Sequence, residues 1–123
     1  MREIKFRGKV ARDGKWIYGD LAHIWDEENG NFIPAISQLG DYTSSVEPET
    51  IGQFTGIKDK NGIEIYEGDV VTANFMRDNG VNLHGVVEYD YECCSFHFCG
   101  NLSVTLLNNI EVIGNIYKQE GGK

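Results

Sequence analysis

Cys93, Cys94 and Cys99 lie beside His97, and thiols with an imidazole are the donors that hold borderline-soft metal ions or do nucleophilic chemistry. On an extended strand Cys93, His97 and Cys99 share one face, and His84 offers a fourth donor. The spacing argues against zinc: structural sites wrap the ion with pairs of ligands about two to four residues apart, and no second such pair exists here. The expectation is no metal and no other cofactor, with the cysteines buried as inert thiols packed beside Phe96 and Phe98.

Glu64, Glu67 and Asp69 lie near one turn and Asp20 follows Trp16 and Tyr18, a grouping that suits general acid and base work in an unrecognised hydrolase. Simpler roles are available to each. An aspartate after a glycine, as in Gly68-Asp69, holds a turn through hydrogen bonds from the backbone, and Glu64 opposite a hairpin lysine is a solvated pair. Ser37, Ser44, Ser45, Ser95 and Ser103 sit in no nucleophile elbow, and no phosphate-binding glycine loop occurs. The sequence therefore predicts no enzyme and no catalytic residues.

Tyr89, Tyr91, Trp16 and Tyr18 would suit a stacking platform for single-stranded nucleic acid, which also needs a basic groove. Around Tyr89 and Tyr91 stand Glu88, Asp90 and Glu92 instead, so core or interface packing explains these rings better. The 123 residues carry a net charge of -8, and that field repels polyanions. Nucleic acid is thus disfavoured as a partner, though Arg2, Lys5, Arg7, Lys9, Arg12 and Lys15 form a basic N-terminal patch. Within it Lys5, Arg7 and Lys9 alternate with apolar residues, and they are the candidate binding residues. The row is either a solvated strand edge or a face that meets an acidic surface of a partner protein or a second copy. A homo-oligomer is expected.

The residues that must position these groups read as strands. Fifteen glycines and two prolines cut the chain into short stretches, many alternating apolar with polar positions. Ile4 to Val10 makes a first strand with Ile4, Phe6 and Val10 inward, Asp13-Gly14 a tight turn, and Trp16 to Leu21 the returning strand. Trp25 to Ser45 predicts a ragged hairpin, with Pro34 at an edge or bulge because it lacks a backbone donor, and a polar loop at 40–45. Asn61-Gly62 predicts a two-residue hairpin turn with positive φ, and Gly68 and Asp69 a second turn before the strand Val70 to Phe75. A loop over Arg77 to Gly80, strands at Val86 to Tyr91 and Cys94 to Phe98, and a closing strand Glu111 to Tyr117 follow; Leu102 to Asn109 reads equally as a strand or a helical turn. The fold class is mainly β, short antiparallel strands and hairpins in a small SH3-like barrel with little helix. Residues 1–123 form one domain, with an N-terminal β lobe at 1–50 and a barrel-like lobe at 51–117 as a subdivision, and a polar tail at 118–123. No stretch is long and apolar enough for a membrane helix, the N-terminus lacks a signal-peptide core, and the odd cysteine count fits a reducing cytoplasm.

Four blocks carry a family resemblance: Met1-Arg2-Glu3-Ile4-Lys5-Phe6-Arg7-Gly8-Lys9; Trp16-Ile17-Tyr18-Gly19-Asp20; Glu49 to Gly56 continuing through Asp59-Lys60-Asn61-Gly62 and Ile65-Tyr66-Glu67-Gly68-Asp69-Val70-Val71; and Glu111-Val112-Ile113-Gly114-Asn115-Ile116-Tyr117. In this order they resemble the YopX-type proteins of phages and prophages, over roughly half of the chain. The resemblance implies phage or prophage origin and a β-rich fold, and it brings no catalytic residues. A noncatalytic accessory protein that binds a protein or itself is the expectation.

Overall fold

A computed structural model describes residues 3–38, 42–75, 78–98, 102–103 and 107–117. Cys99, parts of the loops expected at 40–45 and at Arg77 to Gly80, and the tail at 118–123 lie outside them. The chain divides into two compact units, one built by Met1–Phe54 and the other by Thr55–Lys118. Strands are antiparallel throughout, and among the described residues there is no α-helix.

In the first unit β1 (Phe6–Lys9), β2 (Trp16–Asp26), β3 (Asn31–Ser37) and β4 (Thr43–Ser45) lie in the order β4-β3-β2-β1, and the start of β5 (Gly52–Lys58) pairs on the far side of β1. The β1–β2 hairpin matches the sequence reading, with Lys9 opposite Trp16 and Phe6 opposite Gly19. The hairpin after it is more regular than expected. β2 and β3 stay in register from Asp20–Ser37 to Asp26–Asn31, because Asp26 organises the turn: its Oδ1 accepts the Glu28 N–H and its Oδ2 the Asn29 amide. Pro34 stands in a strand paired on both sides, not at an edge. Its carbonyl accepts from Val46 N–H, so its missing N–H points to the same side, past the end of β4, and costs β2 no bond. Val10, Ile17, Ile36 and Val46 form the core, with Phe6 and Ile51 against them.

In the second unit β6 (Glu64–Tyr66) lies beside the rest of β5, and β7 (Asp69–Phe75), β8 (Asp78–Asp90), β9 (Ser95–Phe98), β10 (Leu102–Ser103) and β11 (Leu107–Asn115) make a sheet in the order β10-β9-β8-β7-β11. Ile65, Val71, Ala73, Val87 and Ile110 form its core. The sheets are open, which corrects the expected barrel: closure needs the end strands to pair along a stagger, and β10 offers only Leu102–Ser103. Asp78 to Gly80, expected as loop, are strand because β7 pairs with β8 down to Phe75 opposite Asp78. The ambiguous segment before Asn109 ends in strand, with β11 starting at Leu107 and slipping register between Asn108 and Glu111.

The Asn61-Gly62 turn is wider than a two-residue one. Asp59 C=O accepts from Gly62 N–H at 3.0 Å and Asp59 N–H donates to Ile63 C=O at 2.7 Å. Only Gly62 of that pair has positive φ, at 84°, the pattern of a type I turn closed by a left-handed glycine. The buried Asp59 side chain explains the choice: its Oδ1 accepts from Asn61 and Ile63 N–H and its Oδ2 from Val112 N–H of β11. Burial alone raises a carboxyl pKa, but the Val112, Ile63 and Asn61 N–H groups, helped by Lys60, outweigh it and hold Asp59 below the ordinary 3.8. At the next turn Gly68 has φ 93°, its N–H donates to Val87 C=O, and its C=O accepts from Ile116 N–H. Asp69, fully buried, accepts the Tyr66 N–H at 2.8 Å.

Gly68→Val forces a branched residue into the left-handed region, and its Cβ would stand 2.9 Å from the Tyr117 ring. The expected loss is about 1–3 kcal/mol by denaturant melt, whereas Gly114→Ala, with open space around its Cβ, should change little; equal melts would remove the constraint at Gly68. A carboxyl with a depressed folded pKa gives stability that is present above its unfolded pKa and lost as pH falls through the folded one. Asp59→Asn should therefore cost about 1–3 kcal/mol at neutral pH and flatten the fall in melting temperature below about pH 4. A parallel acid limb in the two proteins would refute this.

Candidate functional site

Three groups of residues are candidates, and the first is the basic row of β1. Lys5, Arg7 and Lys9 alternate as predicted, yet Arg7 is 5% and Lys9 7% exposed, so the row is not solvent-facing and the expected assignment of faces is corrected. β1 is an interior strand, between β2 and β5, and aromatic side chains of both neighbours lie over its cations. The Arg7 guanidinium lies 4.8 Å from the centroid of the Trp16 ring, and Lys5 Nζ 5.6 Å from that of Phe54. These cations pack on aromatic faces, which compensates their desolvation. Lys5 remains part-exposed with Glu3 at 3.2 Å, and Ile4, expected inward, is exposed.

The carboxylates near the second turn are engaged. Glu64 Oε1 accepts the Tyr66 hydroxyl at 2.9 Å while Asp69 accepts the Tyr66 backbone N–H. Two of the four carboxylates that suited a hydrolase, Glu64 and Asp69, are thus hydrogen-bonding partners of one tyrosine, and Asp69 is a turn holder.

The second candidate is apolar. Trp25 and Phe32 face each other across β2 and β3, with ring centroids 5.0 Å apart and planes at 73°. They are 54% and 64% exposed. Alternation puts His23 and Leu21, both exposed, on the same face of β2 as Trp25. The sequence predicts a hairpin here but does not mark Trp25 and Phe32 as a site, because strand alternation does not tell which face is covered; the signal is two large rings flanking an acidic turn.

The third lies at the β8–β9 turn. Asp90 is the last residue of β8 and Ser95, its partner, the first of β9; two pairs inward Glu88 stands opposite His97. Asp90 Oδ1 accepts Glu92 N–H at 2.9 Å and Cys93 N–H at 3.2 Å, leaving Oδ2 at 3.0 Å from His97 Nδ1. The Cys93 N–H first, with the Glu92 N–H, the His97 ring and the Cys93 thiol adding against partial desolvation, holds Asp90 below the ordinary carboxyl value. The donor atoms of Asp90, Cys93 and His97 all lie within 4.8 Å of one another. Beside them is an open cleft of about 320 Å³ lined by Glu88, Tyr89, Asp90, Tyr91, Glu92 and His97.

This arrangement corrects the cysteine reading twice. Cys93 and Cys94 are exposed and free, not buried beside the phenylalanines, and Cys94 belongs to the turn, with φ 55°, not to a strand face. Of the donors the sequence grouped, the structure keeps Cys93 and His97 together; His84 pairs with Thr72 of β7 and is not in the cluster. The third donor, Asp90, was missed although its spacing, Asp90-x-x-Cys93-x-x-x-His97, is visible. Tyr89 packs edge-on against both Tyr91 and Phe96 at about 5 Å, and Tyr91 is exposed at the cleft among Glu88, Asp90 and Glu92.

If the basic row is structural, Arg7→Glu places a carboxylate where a ring and a core strand surround it and should cost about 2–4 kcal/mol, while Lys5→Glu should shift stability by less than about 0.5 kcal/mol. Thermal melts of the two variants separate these; equal small shifts would return Arg7 to the surface.

Against known proteins, a family model described as YopX protein matches residues 5–120. No curated protein matches the sequence.

Proposed function

The chain belongs to the YopX family, and we propose that it is a noncatalytic phage or prophage accessory module, working in the host cytoplasm, that binds another protein or a second copy of itself. The exposed Trp25–Phe32 pair carries the reading. Large rings are seldom left in water side by side on a small acidic protein, and aromatic anchors with a polar surround supply most of the energy in protein contacts. Glu27, Glu28 and Asn29 at the adjoining turn provide that surround. No helix among the described residues is long and apolar enough to cross a membrane.

The nucleic-acid alternative uses the N-terminal basic patch, in which Arg7 and Lys9 are buried; the hydrolase alternative uses Glu64, Glu67, Asp69 and Asp20, of which Glu64 and Asp69 accept hydrogen bonds from Tyr66.

Trp25→Ser with Phe32→Ser removes the contact while leaving both unit cores intact. Sedimentation across a concentration series reads self-association, and quantitative capture from host lysate with and without phage infection reads a second protein. The expected outcome is a loss of about thirtyfold in affinity for whichever partner is found, with the melting temperature retained. A double variant with wild-type mass and wild-type capture would end the proposal.

A further inference from the structure

The β8–β9 turn brings together one thiol, one imidazole and one carboxylate, and we propose that Asp90, Cys93 and His97 bind a zinc-class divalent cation, with a fourth position open to the adjoining cleft.

The donor chemistry selects the ion. Sulfur with imidazole nitrogen suits borderline-soft zinc and its cobalt surrogate, and a single carboxylate is an accepted third ligand, whereas magnesium and calcium take oxygen almost exclusively. The geometry is close to what the ion needs. Bonds of about 2.0–2.3 Å in a tetrahedron set donor atoms roughly 3.3–3.8 Å apart, and here all three lie within 4.8 Å with Oδ2 and Nδ1 at 3.0 Å. Cys93 closes the remaining gap by rotating its exposed side chain, while the two less mobile donors already meet.

The carboxylate is aimed by the backbone. Its Oδ1 is held by the Glu92 and Cys93 N–H groups, so Oδ2 is directed at the site, the kind of outer support that metal ligands use. His97 is 7% exposed and fixed on β9 opposite Glu88. On binding, the Nδ1 lone pair and Oδ2 turn to the cation, the imidazole proton moves to Nε2, and the Cys93 thiol proton leaves to solvent. The charges then balance, since a thiolate and a carboxylate neutralise the dication, and Glu88 and Glu92 at the cleft rim keep the local potential attractive to cations. Three protein donors and an open position differ from the closed sets of four in structural sites, so the metal is exchangeable and the fold stands without it.

The test uses the full chain, reduced and treated with chelator, titrated with Co²⁺ and then displaced by Zn²⁺. A thiolate-to-cobalt charge-transfer band saturating at one equivalent, with the visible bands of tetrahedral cobalt, is expected for the wild type. Cys93→Ser should abolish the charge-transfer band and weaken zinc binding tenfold or more, and Asp90→Asn should weaken it while retaining the band. Cys94→Ser and Cys99→Ser should retain both. Because Cys93 is exposed, its serine variant keeps the fold, which an unchanged melt without metal verifies. A wild type without the band, or a signal that survives Cys93→Ser or disappears with Cys94→Ser, overturns the site.

Discussion

Asp59 is a buried carboxylate kept charged because three backbone N–H groups point at it, two from its own loop and one from Val112, 53 residues further along the chain. A buried charge without such donors would be neutralised or would unfold its surroundings. The donors thus work in both directions: the carboxylate satisfies N–H groups that the tight turn leaves without strand partners, and it pins β11 to the β5–β6 loop. Lys60 repeats the link, with its N–H on Ile110 C=O and its ammonium 3.5 Å from Glu111. With β11 so placed, its register on β7 follows, β7 fixes β8, and β8 ends at the turn that holds Asp90. The candidate metal donors are therefore ordered by pairings that begin at one aspartate.

The first unit solves a different electrostatic problem. An interior strand carrying Arg7 and Lys9 must cover cations, and it does so with a ring on one face while Val10, Ile17, Ile36 and Val46 fill the core. Flat guanidinium on indole loses less hydration energy than an ammonium in hydrocarbon would. A surface role for Arg7 and Lys9 is excluded by their burial, at 5% and 7% exposure, and the Trp16 ring over the Arg7 guanidinium is part of what covers them.

Local features were legible in the sequence and nonlocal ones were not. The β1–β2 hairpin, the left-handed glycines at 62 and 68 and the role of Asp69 are set by residues a few positions apart, and they are where alternation and turn chemistry put them. Which face of β1 is covered depends on residues far along the chain, such as Thr50, whose Oγ1 accepts the Lys9 N–H from 41 positions away, and alternation alone is symmetrical between faces. The same limit hid the extension of β8 over Asp78 to Gly80, where pairing with β7 outweighs loop-like composition. At the β8–β9 turn the expected strands each run one residue too far: Tyr91 and Cys94 both belong to the turn, Cys94 is left-handed, and Cys93 N–H folds back onto Asp90 Oδ1.

The aspartates also explain part of the chain's acidity. Asp13, Asp26, Asp59 and Asp90 each close a hairpin by accepting N–H groups from the following residues, so these negative charges serve turn chemistry before any partner. What distinguishes them is how the second carboxylate oxygen is used. Asp26 spends it on the Asn29 amide of its own loop, leaving that turn's neighbouring surface to Trp25 and Phe32. Asp59 spends it on a distant strand. Asp90 directs it to His97, an ionisable group beside an exposed thiol. One turn motif thus yields an apolar tip, an internal tie and a cluster of metal-binding donors, and the difference lies in the residue that meets Oδ2.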